Sequence, residues 1–323
     1  MMELRRQFRR LKRDVIFRLP PNLRQQLIRH AVRFDRIEDT AITCQRATSF
    51  EDLTRSFQIL HHAYVESGFM KPHPSGMRIT KYHLLPSTLV LTVKHWDLVI
   101  GTVTLIRDSA WGLPVEELCS LDDWRDRKVP LYEISALAID RTFRYESGIY
   151  LFPLLRALYQ TLAQLSDNPA VFVSVNPKHW DFYQALFAFR KATDQSFSNY
   201  SFVEGAPAEV GFLRLDETYR ELQQKYSWYP KQWNLFEYFT QPIDLDPIIR
   251  PHEDPLSPTM PPNWVEYFFS ECQSIIQNLS RAELEYVTQL YRVLPPTLSD
   301  ATPCRLFDTH RADAGLPRIA TTA

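Results

Sequence analysis

The sequence predicts an α/β domain over residues 45–217, with a basic helical extension before it and a proline-rich, then helical, extension after it. Three observations lead there. Strand-sized apolar runs alternate with helical periodicity in the middle of the chain. Glycine is confined, with seven of the eight lying between Gly68 and Gly211, while seven prolines crowd between Gln241 and Pro262. Charge is segregated: residues 1–36 hold eleven Arg/Lys against Glu3, Asp14 and Asp35, a balance of +8 within a chain that totals −1, so the other 287 residues sum to about −9. The resulting divisions are 1–44, 45–217, 218–263 and 264–323, and 323 residues is enough chain for a sizeable core.

In order, Leu4, Phe8, Leu11 and Val15 recur at helical spacing with Arg5, Arg6, Arg9, Arg10, Lys12 and Arg13 on the other faces. A second helix follows Pro20-Pro21, capped by Asn22, with Leu23, Leu27 and Ala31 on one side and Arg24, Arg29 and Arg33 elsewhere. Such segments suit an anionic partner (membrane surface, nucleic acid or acidic protein) or pack on the domain with a solvated rim. Ser49 with Asp52 starts a helix marked by Leu53, Phe57, Leu60 and Tyr64 and stopped by Gly68. Thr88–His95 and Leu98–Ile106, joined by Trp96-Asp97, form a hairpin. Residues 115–127 are acidic and partly helical, Leu131–Ile139 is a third strand, and a helix runs from about Ile149 to Leu165 with Leu151, Leu154, Leu155, Leu158 and Leu162 inward. Val171–Val175, a helix at about His179–Leu186, and strands near Phe189 and Gly211–Leu215 complete the domain. Beyond it come an extended linker or wrapping segment and a helical pair, the second helix opening on the Ser280/Glu283 capping box and ending before Pro295.

The composition, 45% hydrophobic, 13% aromatic and 23% charged, excludes collagen-like, disulfide-scaffold and disordered classes. No apolar run approaches the ~20 residues of a membrane span, and Val15-Ile16-Phe17 is too short for a secretory core of ~7–15 residues, so the expected location is the cytoplasm, with peripheral contact on the inner face of the membrane through residues 1–36 as an added option. Cys44, Cys119, Cys272 and Cys304 lie far apart, and His61, His62 and His73 lack ligand partners at usable spacing, so neither a disulfide framework nor a metal site is expected.

Three constellations carry chemistry. Glu133-Ile-Ser-Ala-Leu-Ala-Ile-Asp-Arg141 runs into Arg144-Tyr-Glu-Ser147-Gly148 at a helix start, where unpaired amides point at an anion. Val173-Ser-Val-Asn176-Pro-Lys-His179 leads to Phe182-Tyr183, a strand end followed by a helix that presents a tyrosine. Gly101-Thr-Val-Thr and Gly112-Leu-Pro114 are the third. In this order, and with Ala47-Thr-Ser-Phe-Glu-Asp-Leu, His62-Ala-Tyr64, Gly68-Phe69, Gly76-Met-Arg78-Ile-Thr, Leu85-Pro-Ser-Thr88 and Gly205-Ala-Pro207, the stretch 45–217 resembles the GNAT acyltransferase superfamily. Within it the similarity is to the long-chain N-acyl amino acid synthases of the FeeM type, themselves similar to acyl-homoserine lactone synthases.

The resemblance implies a GNAT-like mixed sheet flanked by helices and transfer of a fatty acyl chain from a thioester to the amine of an amino acid or related small amine. Bulky Ile149 in the phosphate loop departs from the superfamily pattern and disfavours coenzyme A, so the implied donor is an acyl chain on the phosphopantetheine of acyl carrier protein, with no other cofactor. Ala188 replaces a glycine before Phe189. Amide formation needs a neutral amine, a polarised carbonyl and a proton for the thiolate. Glu133 is expected to accept or orient the amine, directly or through water, the backbone amides of Ser135–Leu137 to polarise the carbonyl at a bulge, and Tyr183 to protonate the thiolate. Arg144, Ser147 and Gly148 are expected to hold the phosphopantetheine phosphate. Arg78 is assigned to the amino acid carboxylate, with Asn176 and His179 beside the substrate, His179 either packed on the core or forming a polar lid. Each has a plainer alternative: a strand-end carboxylate, a buried aromatic, solvated turn residues, a surface arginine. Other readings are a homoserine lactone-like signal synthase, an acetyl-coenzyme A N-acetyltransferase, or a non-catalytic GNAT-like binding module; nucleic acid is not an expected partner.

Overall fold

The computed structural model describes residues 19–32, 34, 41–249 and 260–291, apart from the side chains of 145–147 and 273–274. The amphipathic stripe at Leu4–Val15 and the chain after residue 291 lie outside the described residues. The first described helix, α1 (Pro21–Ala31), is not capped by Asn22: Pro20 is the N-cap and Pro21 the first helical residue, where its fixed φ and missing N–H cost nothing. Strand β1 (Ile42–Arg46), which the sequence pattern does not announce, pairs antiparallel with β2 (Leu89–His95). Helix α2 (Phe50–Ser67) starts where Ser49 accepts from the Asp52 N–H at 3.0 Å and stops at Gly68, whose φ of 72° is open to glycine. β2 and β3 (Leu98–Arg107) form the expected hairpin across Trp96-Asp97.

A short helix α3 (Asp122–Asp126) precedes β4 (Leu131–Ile139); then follow α4 (Ser147–Leu165), β5 (Ala170–Val175) and α5 (Trp180–Phe187). Strands β6 (Arg190–Lys191), β7 (Phe197–Tyr200) and β8 (Ala206–Arg214) end the sheet. The strand order is β1-β2-β3-β4-β5-β8-β6, with β7 also on β8. Every pair is antiparallel except β4 and β5, which are parallel. This is the mixed sheet flanked by helices that the sequence predicts.

Two cores form on the helical layers. One joins Leu154, Leu158 and Leu162 of α4 with Leu222 and Tyr226 of α6 (Leu215–Tyr226), Leu235 and Phe239 of α7 (Leu235–Thr240), and Ile248 of α8 (Asp246–Ile249). The other sets Phe50, Phe57 and Leu60 of α2 against Val265, Phe268 and Phe269 of α9 (Pro262–Glu271) and Val287 and Tyr291 of α11 (Arg281–Tyr291), which follows the short α10 (Gln273–Gln277). Phe50 stacks on Phe268 at 5.1 Å, and the Tyr291 hydroxyl donates to the Leu84 carbonyl at 2.9 Å. The Ser280/Glu283 capping box is formed in both directions, at 2.8 and 3.3 Å. Residues after 217 therefore contribute side chains to both cores.

Candidate active site

The site arises from an interruption in the sheet. Opposite β3, strand β4 uses one residue too many: Thr102 faces Ala138, but Thr104 faces Ser135. That is a β-bulge, and Ala136 takes the strain with a φ of 52°, a left-handed conformation that a β-branched side chain would resist strongly. A bulge bends its strand, and pairing of β4 with β5 stops at Glu133 opposite Phe172. From Ile134 to Leu137 the β5-facing edge of β4 has no strand partner. The gap that opens between these residues and Ser174, Val175 and Asn176 is a cavity of about 520 Å³. Its remaining walls include Tyr64 and Ser67 of α2, Leu151 of α4, Phe182 and Tyr183 of α5, Tyr200 at the end of β7 and Phe202 just beyond it.

Glu133 lies beneath this cavity and does not line it. It is fully buried, at 0% exposure, rather than a strand-end surface carboxylate. One carboxylate oxygen accepts from the Val115 N–H at 2.7 Å and the other from the Ser174 hydroxyl at 3.2 Å. Burial pushes its pKa from 4.5 up to about 8; the two hydrogen bonds restrain that rise, and the charge of Glu116 adds to it. Ser174 does line the cavity, so it connects the carboxyl group with the open space. Ser135 and Leu137 lie in the cavity wall at the bulge, where backbone N–H groups can meet a developing oxyanion.

Tyr183 faces the same cavity, and the surrounding protein, with Tyr64 nearby, holds its phenol up at about 12. With Ile134, Leu137 and Phe182 it also walls a second cavity of about 50 Å³ among Leu155, Leu158, Leu162, Phe187, Leu213 and Phe239. These four side chains are walls of both spaces, and the smaller one is an apolar slot in the core. Arg78 is buried, 6% exposed, not a surface arginine. Its guanidinium sits 4.0 Å from the ring centre of Tyr64 and 4.9 Å from that of Phe202, both cavity-wall residues. Nη2 donates to the Phe202 carbonyl at 2.9 Å, while Nη1 is buried with no partner among the described residues. Asn176 and His179 line the cavity; Asn176 is committed to the turn, accepting from the Lys178 N–H and donating to the Pro207 carbonyl at 3.2 and 3.3 Å, and His179 is exposed rather than packed in the core.

A bulged central strand and one parallel pair splayed after three residues thus frame the cavity. Residues 55–213 match the family model described as N-acyl amino acid synthase FeeM. That segment, just under half of the chain, is similar to the FeeM-type acyltransferases. Among solved structures, FeeM, an N-acyl amino acid synthase from uncultured soil microbes, is 22% identical with a TM-score of 0.46, covering 55% of this chain and 93% of its own. The homoserine lactone synthase LasI is 12% identical, TM-score 0.39, covering 54% and 89%. An N-acetyltransferase from Staphylococcus aureus Mu50 is 18% identical, TM-score 0.39, covering 54% and 98%. No curated protein sequence matches the chain.

Arg144 and Gly148, assigned to the phosphate, are not among the described residues that wall the cavity. Arg144 is paired with Glu66 at 2.6 Å, both exposed, and Gly148 lies at the start of α4, where an added Cβ would meet only Phe152 at 3.8 Å. Ser147 begins α4, but its side chain is outside the described residues. Among the described residues no three His, Cys, Asp or Glu come together as a metal site. No helix among them is long and apolar enough to cross a membrane. Sequence reasoning missed Ser174, Tyr64, Tyr200 and Phe202. Ser174 left a signal as the polar interruption of the apolar run Ala170–Val175, and Tyr64 stood in the His62-Ala-Tyr64 piece without a role assigned to it.

Proposed function

We propose that the protein joins an acyl chain, delivered as a thioester on acyl carrier protein, to the amine of an amino acid. The observation that carries this reading is a cavity walled by an unpaired bulged backbone, by a hydroxyl leading to a buried carboxyl and by the Tyr183 phenol, with a buried guanidinium behind its Tyr64 and Phe202 walls that has an N–H without a partner among the described residues. The slot takes the acyl chain and the Arg78 guanidinium takes the carboxylate of the amino acid. Ser174 accepts a proton from the substrate ammonium while passing its own to the Glu133 carboxylate, which leaves a neutral amine. The amine nitrogen attacks the thioester carbon, and the oxyanion is met by backbone N–H groups between Ser135 and Leu137. Collapse breaks the C–S bond; Tyr183 protonates the departing thiolate and recovers the proton that the new amide nitrogen sheds.

Bulky Ile149 at the start of α4 supports a carrier with a single phosphate over coenzyme A. The purified protein is to be given matched acyl chains on acyl carrier protein and on coenzyme A with a panel of amino acids, and the products read by mass spectrometry. An N-acyl amino acid formed with a far higher kcat/KM from the carrier protein is expected. Comparable kcat/KM from both carriers removes the donor assignment, and no acylated amine from any combination removes the function.

A further inference from the structure

Arg46 ends β1 with its side chain buried, 5% exposed, a position in which an arginine is ordinarily paired. Here it is not. Its Nη2 has no hydrogen-bond partner among the described residues, and burial by itself holds its pKa down at about 10, with no carboxylate to raise it. It remains a cation at neutral pH. Asp52 of α2 is buried as well, but it is taken by Lys94 at 2.8 Å and Gln45 at 3.1 Å, and Glu51 is exposed. Thr88, 2% exposed, adds a second buried hydrogen-bonding group whose hydroxyl has no partner among the described residues. Both side chains line one small cavity of about 10 Å³, whose other walls include Leu53 and Phe57 of α2, Val90 of β2, Met260 and His83. It shares no wall residue with the cavity beside the bulge.

Size and the hydrogen-bonding character of the walls decide what this cavity takes. About 10 Å³ is the scale of one water molecule or one monatomic ion, too small for a carboxylate, phosphate or sulfate. His83 offers no acceptor: burial and the charge of Arg78 hold its pKa near 4, so it is neutral, and its ring nitrogens are turned to Thr80 at 3.0 Å and Thr104 at 3.5 Å. A water that accepts from Arg46 would direct at least one of its own hydrogens at apolar side chains. A halide only accepts, and it supplies the negative charge that a desolvated guanidinium needs. We infer that Arg46 and Thr88 hold one halide ion in the cavity between β1, β2 and α2. Bound there, the ion ties the edge strand β1 to α2 and to Met260, which leads into α9, so it stabilises the fold without entering the reaction.

The test follows thermal unfolding of the full chain in sodium chloride and in sodium gluconate at equal ionic strength, so that screening is the same in both. The melting temperature of wild type is expected to rise as chloride or bromide replaces gluconate, an anion too large for the cavity. Arg46→Met keeps an apolar stem and removes the charge; it should fold and lose that rise. Thr88→Val, which removes the hydroxyl donor, should weaken the apparent chloride affinity by about tenfold. Wild-type crystals grown in sodium bromide should show an anomalous peak beside the Arg46 guanidinium, a readout that decides the matter even if neither variant folds. Melting temperatures that are the same in chloride and gluconate overturn the inference. So does a chloride response that persists unchanged in Arg46→Met, which is a general salt effect, or an anomalous map with no bromide at Arg46, which leaves water as the occupant.

Discussion

Replacing Glu133 by Gln should change the pH dependence of stability as well as the reaction. Gln keeps one oxygen to accept from the Val115 N–H, its NH2 can donate to a reoriented Ser174 hydroxyl, and its volume is nearly that of Glu, so the variant is expected to fold. The folded-state pKa of Glu133 is raised from 4.5 to about 8 by burial. A carboxyl raised in this way favours the fold while it is protonated; the contribution is whole below pH 4.5 and is lost as pH climbs through about 8. Over the full interval that is on the order of 5 kcal/mol at about 1.4 kcal/mol per pH unit. Buried His83, held down near 4, works in the opposite sense between about pH 4 and 6.5, so the clean window opens at 6.5. From pH 6.5 to 8 wild type should lose about 2 kcal/mol that the Gln variant retains. Urea unfolding followed by circular dichroism at several pH values measures both curves. Curves that run parallel across this window would refute the argument that Glu133 is a buried, proton-bearing carboxyl. In turnover, kcat of wild type should rise with pH towards 8, and the variant should lose on the order of 10²–10⁴ together with that rise.

Tyr183→Phe should lower kcat by on the order of 10²–10⁴ with little change in KM, because the ring still walls both cavities; near-wild-type turnover reduces the tyrosine to packing. Ser174→Ala should lower kcat and shift its pH rise, while Ser174→Thr, which restores the hydroxyl, should recover most of both; equal activity in Ala and Thr variants argues against a relay. Arg78→Lys, with its melting temperature checked because the site is buried, should raise KM for an amino acid by about tenfold to a hundredfold and leave an amine without a carboxylate unaffected. An equal loss with both amines would show that the arginine serves packing alone.

Local signals in the sequence determined the elements. The Ser49 cap and the Gly68 stop bound α2, the leucine spacing set the buried face of α4, and the alternation around Trp96-Asp97 set the hairpin. These depend on contacts a few residues apart, which composition and period record. The motifs at Glu133–Leu137 and Asn176–Tyr183 likewise marked where chemistry is concentrated. Tertiary structure decided the rest. β1 carries little apolar period and forms only because it meets β2 from further along the chain. Whether Glu133 met solvent, Ser174 or a cavity depended on the bulge at Ala136 and on the pairing that stops at Phe172, both products of long-range register. Arg78 reads as an ordinary cation until Tyr64 and Phe202 close over it from opposite ends of the domain. The same holds for α1: its period gave the leucine stripe, but only the ion pair and hydrogen bonds made with α5 fixed which side faces out. A sequence period states that a helix has two faces; the partner surface chooses between them.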